Sequence, residues 1–303
     1  MSKLYRAIDI SKQAFHKWLD RRNRKRSVEE QLLYLIYQLR DEHPTMGVRD
    51  MYYKLRPSHI GRDAFEFFCE NNDLMAPRSG NYRKTTNSTG VIRFDNLLEN
   101  MDLTRINQAW QSDITYYEVN SRFYYITFIP DSFSRKIVGY QTSKRLLTKS
   151  TTLPALEMAI KDREKQNLSV SGIVLHSDGG GQYYDKNFLK LTSKYEFKNS
   201  MCEYAWENGK AERLNGVIKN NYLKHRIINS YEDLSKEVAR SVKLYNQEKP
   251  HIGLGRKSPA NFESNYLTLN QNNSITVNNE FLNSKSIKNK PKSGQPFLGI
   301  DIP

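Results

Sequence analysis

Between residues 109 and 195 the chain passes through three strand-like runs, a helix, a fourth strand-like run and a second helix, an order that few architectures accommodate. The first run is Ala109-Trp110-Gln111-Ser112-Asp113-Ile114-Thr115-Tyr116-Tyr117. Strand side chains repeat every second residue, so Asp113 shares a face with Gln111, Thr115 and Tyr117. Two further aromatic and β-branched runs, 123–129 and 136–141, are joined by the turn Pro130-Asp131-Ser132-Phe133-Ser134 and predict an antiparallel meander. A helix over 149–166, with Leu153, Leu156 and Ile160 inward, then leads to Ile173-Val174-Leu175-His176-Ser177-Asp178-Gly179-Gly180-Gly181-Gln182-Tyr183. An apolar run stopped by an acid and three glycines fits a strand buried on both faces, and the glycines permit turns that side chains forbid. The mixture predicts an α/β sheet with Asp178 at a strand end beside the first strand, where ligands of such sheets collect. An acid placed there has either a chemical task or a salt bridge. His176 has the same strand parity and reads as a core histidine or as a support for Asp178.

After a helix over 185–195 and a short strand or loop at 197–201, a last amphipathic segment begins near Trp206. At about 100° per residue, Asn208, Glu212, Asn215 and Lys219 fall within roughly 60° of one another, beside an apolar stripe of Ala211, Leu214 and Ile218. Three acids therefore stand on three elements: Asp113, Asp178 and Glu212. Grouped carboxylates repel unless a cation neutralises them, and hard oxygen donors suit Mg²⁺ or Mn²⁺. Two such ions can serve an in-line phosphoryl transfer. Cys69 and Cys202 are too few for a disulfide framework or a zinc site and read as packing residues.

The front of the chain predicts helices. Ser11 can cap one in which Phe15, Trp18 and Leu19 form an apolar stripe while Lys12, Gln13, His16 and Lys17 face outward. With Leu4 and Ile8 on a preceding short helix, residues 1–20 fit either a helix-turn-helix or a plain helical hairpin. Arg21, Arg22, Arg24, Lys25 and Arg26 follow, a solvated run or a phosphate clamp if DNA is present. Ser27-Val28-Glu29-Glu30 predicts a fresh helix start by a capping box, with Leu32, Leu33, Ile36 and Leu39 inward as far as His43, where Pro44 stops it. Helices over 48–55 and 62–71, the second with Ala64, Phe65 and Phe68 inward, complete a small all-helical module. From 77 to 107 the composition turns to Arg, Ser, Gly, Asn, Lys and Thr, a basic linker. Residues 264–303 have no helical period and read as a mostly disordered basic tail.

The formal charge of +14 on 303 residues favours a nucleic-acid partner, because phosphate neutralisation releases counterions; a merely soluble basic protein is the alternative. Residues 1–84 hold 17 Lys and Arg against 11 Asp and Glu. No apolar run reaches the length of a membrane span and no apolar leader opens the chain, so a cytoplasmic, nucleoid-associated protein is expected.

Four blocks and the helical front half carry a resemblance. Gln111-Ser112-Asp113-Ile114-Thr115-Tyr116, His176-Ser177-Asp178-Gly179-Gly180-Gly181-Gln182-Tyr183 and Glu207-Asn208-Gly209-Lys210-Ala211-Glu212-Arg213-Leu214-Asn215-Gly216 are similar to the signature blocks of bacterial insertion-sequence transposases with a retroviral-integrase-like DDE core. Tyr245-Asn246-Gln247-Glu248-Lys249-Pro250-His251-Ile252-Gly253-Leu254-Gly255, followed by Ser258-Pro259-Ala260, resembles the segment that closes those cores, and the helical front half, including Ile10-Ser11-Lys12-Gln13-Ala14-Phe15-His16-Lys17-Trp18 and Glu42-His43-Pro44-Thr45-Met46-Gly47-Val48-Arg49, is similar to their amino-terminal region. The resemblance implies a ribonuclease-H-like mixed sheet flanked by helices, preceded by a small all-helical DNA-binding region. It implies a catalytic and metal-binding triad of Asp113, Asp178 and Glu212, with two Mg²⁺ or Mn²⁺ ions per site. The activity implied is DNA cleavage and strand transfer at transposon ends, with Gln182, Tyr183, Asn208 and Lys219 joining the front-end basic residues in contacts to DNA. Expected partners are terminal inverted repeats, target DNA, a second copy or more of this chain, and an upstream-frame helix-turn-helix product. The expected division is 1–26, 27–83, a linker over 84–106, a catalytic core over 107–263 and the tail. Only 33 residues separate Asp178 from Glu212, slightly fewer than is usual in that group, which makes Glu207 the nearest rival for the third acid. The readings that compete are a non-catalytic DNA-binding regulator of transposon origin and a ribonuclease-H-like nuclease without joining activity.

Overall fold

The computed structural model describes residues 10–76, 94–202 and 208–270. The expected short helix of Leu4 and Ile8, the front of the linker, Glu207 and the tail from 271 fall outside that range. Strands β1 (Ala109–Val119), β2 (Arg122–Pro130), β3 (Ile137–Ser143), β4 (Val174–Ser177) and β5 (Lys198–Met201) form one mixed sheet in the order β3-β2-β1-β4-β5. The first three pair antiparallel, as the meander predicts, while β4 lies parallel to β1 and β5 parallel to β4. Parallel neighbours need crossover connections, which α4 (Thr152–Lys165) and α5 (Lys186–Lys194) supply. This is the mixed sheet flanked by helices that the resemblance implies.

Each face of the sheet is covered by its own core. On one side Trp110, Ile129, Val138, Ile173 and Leu175 meet Leu156 and Ile160 of α4 and Phe188 of α5. On the other, Val119, Ile126, Phe128 and Ile137 pack against Leu214 and Ile218 of α6 (Gly209–Asn221) and Leu234, Val238 and Val242 of α7 (Tyr231–Gln247). Coverage on both sides explains why β4 reads as a continuous apolar run rather than an alternating one.

Helices α1 (Lys12–Glu42), α2 (Val48–Leu55) and α3 (Arg62–Asn71) enclose a third core of Leu32, Ile36, Leu39, Met51, Phe65 and Cys69. Ser11 caps α1, its side chain accepting from the Ala14 amide at 3.1 Å. The capping box expected at Ser27 does not form, because α1 runs unbroken for 31 residues, about 46 Å. Lys25 pairs with Glu29 and Arg26 with Glu30 at i,i+4 spacing, so the same glutamates that imitate a capping box sustain the helix across the join. The boundary expected after Arg26 thus falls inside one helix. Trp18 is 51% exposed, with Phe15 stacked on it and the Arg22 guanidinium over its ring, while Phe15 and Leu19 are half-buried. Ala64 is exposed, and the buried face is that of Phe65 and, one turn on, Cys69.

A polar seam holds the helical module to the sheet domain. His43 Nδ1 lies 3.1 Å from the Tyr222 hydroxyl and Nε2 lies 3.4 Å from Glu248, which also accepts from Lys54 at 2.8 Å. Arg226 with Asp41, Arg240 with Glu42 and Arg256 with Asp50 add ion pairs along the same seam. A second unit begins at Asn261, of which 261–270 is helical. Among the described residues no helix is long and apolar enough to cross a membrane.

Candidate active site

The parallel register of β1 and β4 decides which acids meet. Ser112 is paired with Ser177, so the next residue on each strand, Asp113 and Asp178, stand side by side at the spacing of neighbouring strands, about 5 Å. Asp113 belongs to the hydrogen-bonded interior of the central strand, also paired with Phe128 of β2, and its backbone is therefore fixed. Asp178 is the first residue past the strand. Gly179, which follows it, has φ 75°, a conformation that favours glycine, and a Cβ there would push the Met201 side chain aside.

Asp113 is half-buried, and Asp178, exposed at the strand end, still loses part of its water to the protein around it. Burial first, then the charge of Asp178 and to a lesser degree that of Glu212, push Asp113 from the ordinary 3.8 up to about 7. Burial raises Asp178 as well, against the pull of the Gly180 amide that donates to its Oδ1 at 3.1 Å. The two groups titrate in sequence: Asp178 ionises beside a still neutral neighbour, and Asp113 must then ionise against its charge.

Helix α6 leans over this pair. Asn215 donates from Nδ2 to Asp113 Oδ2 at 2.6 Å, and Asn208 donates to the Ser112 carbonyl at 3.3 Å. Glu212 lies on the exposed flank of the first turn, within electrostatic reach of Asp113. Lys219 is held below its ordinary value by burial, with Asp113 pulling it back up, and its Nζ stands 5.4 Å from the centre of the Tyr116 ring. The shared helical face of Asn208, Glu212, Asn215 and Lys219 is thus turned toward the first strand. Asn215, placed on that face by its spacing but not among the expected site residues, makes the closest side-chain contact to Asp113.

Two of the expected DNA contacts lie below the surface in this structure. Tyr183 is buried, its ring against Phe188 and its hydroxyl 2.9 Å from Ser112 Oγ, because the turn Gly181–Tyr183 tucks it under the sheet end. Asn208 is buried too, its amide spent on the β1 backbone. Both brace the pocket from beneath. Gln182 is half-buried, with its carbonyl accepting from Thr148 and Thr152. His176 is a buried core residue bonded to Ser200 at 2.9 Å. The front-end residues Lys12, Gln13, His16, Lys17, Arg21, Arg22, Arg24, Lys25 and Arg26 are all exposed on α1, a different element from the acids.

Among the described residues no three His, Cys, Asp or Glu side chains close into a ready-made ion cage. The donor chemistry nevertheless fits a hard cation at the aspartates, a half-buried and an exposed carboxylate placed side by side whose mutual repulsion a divalent ion would relieve. Glu212 would complete the set only by turning inward from its exposed position.

Two models described as "Integrase core domain" match residues 104–205 and 194–259. The insertion element IS600 uncharacterized 31 kDa protein of Shigella sonnei is 27% identical over 266 residues, which cover 85% of this chain and 96% of that one. The putative transposase for insertion sequence element IS986/IS6110 of Mycobacterium tuberculosis is 28% identical over 169 residues, 54% of this chain and 60% of its own length. Transposase InsF for insertion sequence IS3A of Escherichia coli is 27% identical over 191 residues, 59% of this chain and 62% of its own. Among solved structures, the HTLV-2 integrase catalytic core domain in complex with magnesium (trimeric form) is 22% identical, covering 52% of this chain and 96% of that one with a TM-score of 0.42.

Proposed function

The chain belongs to the insertion-sequence transposases built on an integrase core, and from that premise we propose that it cuts and joins DNA at the ends of its element. One observation carries the proposal: Asp113, half-buried, and Asp178 meet at the open end of a parallel strand pair. The triad is Asp113, Asp178 and Glu212. When bound there, Mg²⁺ or Mn²⁺, two ions per site, would supply the charge that offsets an attacking hydroxyl and a leaving oxygen. In the first step a water oxygen bonds to phosphorus, the bond from phosphorus to the 3'-oxygen breaks, and a free 3'-hydroxyl departs. In the second that 3'-hydroxyl attacks a target phosphodiester and the target's own 3'-hydroxyl leaves, so no outside energy source is needed.

The protein's own groups serve these steps by placement. Asn215 fixes the orientation of the Asp113 carboxylate, while Tyr183 and Asn208 hold Ser112 and so the strand beneath it. Lys219, Gln182 and the exposed basic residues of α1 supply phosphate contacts, and joining of two ends calls for at least a dimer. Replacing Asn215 with Ala removes a bond to a charged group, worth about 1.5–3 kcal/mol. Cleavage is expected to slow by about ten- to a hundredfold at unchanged DNA affinity; a change under twofold would remove Asn215 from the site.

The direct test uses DNA carrying the inverted repeats that flank the gene, incubated with the chain in Mg²⁺. Cut and joined products are expected. Cut products alone would indicate a nuclease, and binding without either would indicate a regulator. Binding itself is expected to weaken with salt at a log–log slope of about 0.9 per phosphate neutralised, and a flat response would exclude the basic surface as its cause.

A further inference from the structure

The block Lys249-Pro250-His251-Ile252-Gly253 follows α7 and takes no part in the acid pocket, yet basic side chains from three elements gather there. Arg135, in the turn between β2 and β3, lies so close over Gly253 that a Cβ on that glycine would stand 2.5 Å from Arg135 Nη2. Lys210, near the start of α6, reaches the carbonyl of Ser132 in the same turn at 3.5 Å. Lys249 and His251 close the group. Burial, then Lys249 and Arg135, push His251 down to about 3, so both cations face that ring.

The nearby acids are already engaged. Asp131 is buried and accepts from the amides of Asn107, Phe133 and Ser134, with Arg163 at 3.8 Å. Asp50 pairs with Arg256. Among the described residues, Arg135, Lys210 and Lys249 have no carboxylate within ion-pair distance. Arg135 and Lys210 meet at one turn with no carboxylate in ion-pair range, Lys249 has only the more distant Asp50, and part of the cost of gathering like charges is recovered when an anion arrives. The planar fork of an arginine matches phosphate oxygens two at a time.

We propose that Arg135, Lys210 and Lys249 form a phosphate cradle gripping the backbone of bound duplex DNA, a role that rests on the DNA reading of the neighbouring acids. Its place is set by the sheet. The Ser132 amide donates to the Ala109 carbonyl at 2.9 Å, and Asp113 lies four residues further along β1. At ~3.3 Å per residue that is about 13 Å, close to four base-pair rises of ~3.4 Å. The cradle therefore holds DNA a few base pairs away from the phosphodiester at the acids, and gives the block after α7 a function.

The test reads binding of a short random-sequence DNA duplex to the full chain, without metal, by fluorescence anisotropy between about 50 and 200 mM salt. Arg135→Asn suits the backbone there, since φ is 63° and asparagine tolerates that region. Arg135→Asn and Lys210→Gln are each expected to lower the salt slope by about 0.9 and to weaken binding about fivefold near 0.15 M salt. Both side chains are exposed, so these variants are expected to melt with the parent; Lys249→Gln, half-buried, is the supporting third. Gly253→Ala would displace the guanidinium without removing its charge and is expected to weaken binding at an unchanged melting temperature. A double variant with the parent's slope and affinity, or a parent that does not bind the duplex, overturns the cradle. Because no cleavage is read, a reduced slope in a chain that never cuts DNA would sustain the cradle and count against the catalytic proposal alone.

Discussion

An Asp178→Asn chain is expected to lose strand cleavage and joining by at least about a thousandfold, some 4 kcal/mol at about 1.36 kcal/mol per decade, while folding and binding DNA as the parent does. The side chain keeps its shape, and the amide oxygen can still accept from Gly180, so the turn into Gly179 is undisturbed. What disappears is one negative charge from a pair that the β1–β4 register sets side by side. A divalent cation would lose an anionic donor at that pair. The measurement is product formation on element-end DNA in Mg²⁺, with thermal melting and metal-free DNA binding as controls. Cleavage within tenfold of the parent, at unchanged melting temperature, would dismiss Asp178 from the chemistry and with it the proposed mechanism.

The acids could be found in the sequence because each lay in a setting with a local signature: alternation around Asp113, an apolar run broken by glycines at Asp178, a helical face at Glu212. Their adjacency was legible only in outline, since strand order follows from the succession of elements while the pairing of Ser112 with Ser177 depends on packing across the whole sheet. Asn215 shows the same limit. Periodicity put it on the right face, but the 2.6 Å bond to Asp113 depends on how α6 leans over β1. At the front of the chain a local pattern misled. Ser27-Val28-Glu29-Glu30 has the composition of a helix start, yet extending a formed helix by a residue is far easier than nucleating a new one, and the ion pairs to Glu29 and Glu30 favour continuation. The seam joining His43 and Lys54 to Glu248 links residues about 200 positions apart, and no local signal announces such a contact.

An Asp113→Asn chain is expected to be as inactive as Asp178→Asn and, without metal, more stable than the parent at neutral pH. Asp113 has a folded-state value near 7 against an ordinary 3.8, so the stability linked to its protonated form is complete below about 4 and is lost as pH rises through about 7. The metal-free parent should accordingly melt at a falling temperature between those limits. Asparagine carries no charge to desolvate, so most of that fall should vanish, leaving the part due to Asp178. The contact to α6 survives by an exchange of roles, because Asn215 Oδ1 has no partner among the described residues and a flipped amide can accept where it formerly donated. The gain above pH 7 should be on the order of a few kcal/mol at most. Added Mg²⁺ should raise the parent's melting temperature at pH 8 and leave the variant's nearly unmoved, since the ion's stabilisation comes from relieving the paired carboxylates. Parallel pH profiles for parent and variant would mean that Asp113 is not desolvated as described, and an equal response to Mg²⁺ would place the ion elsewhere.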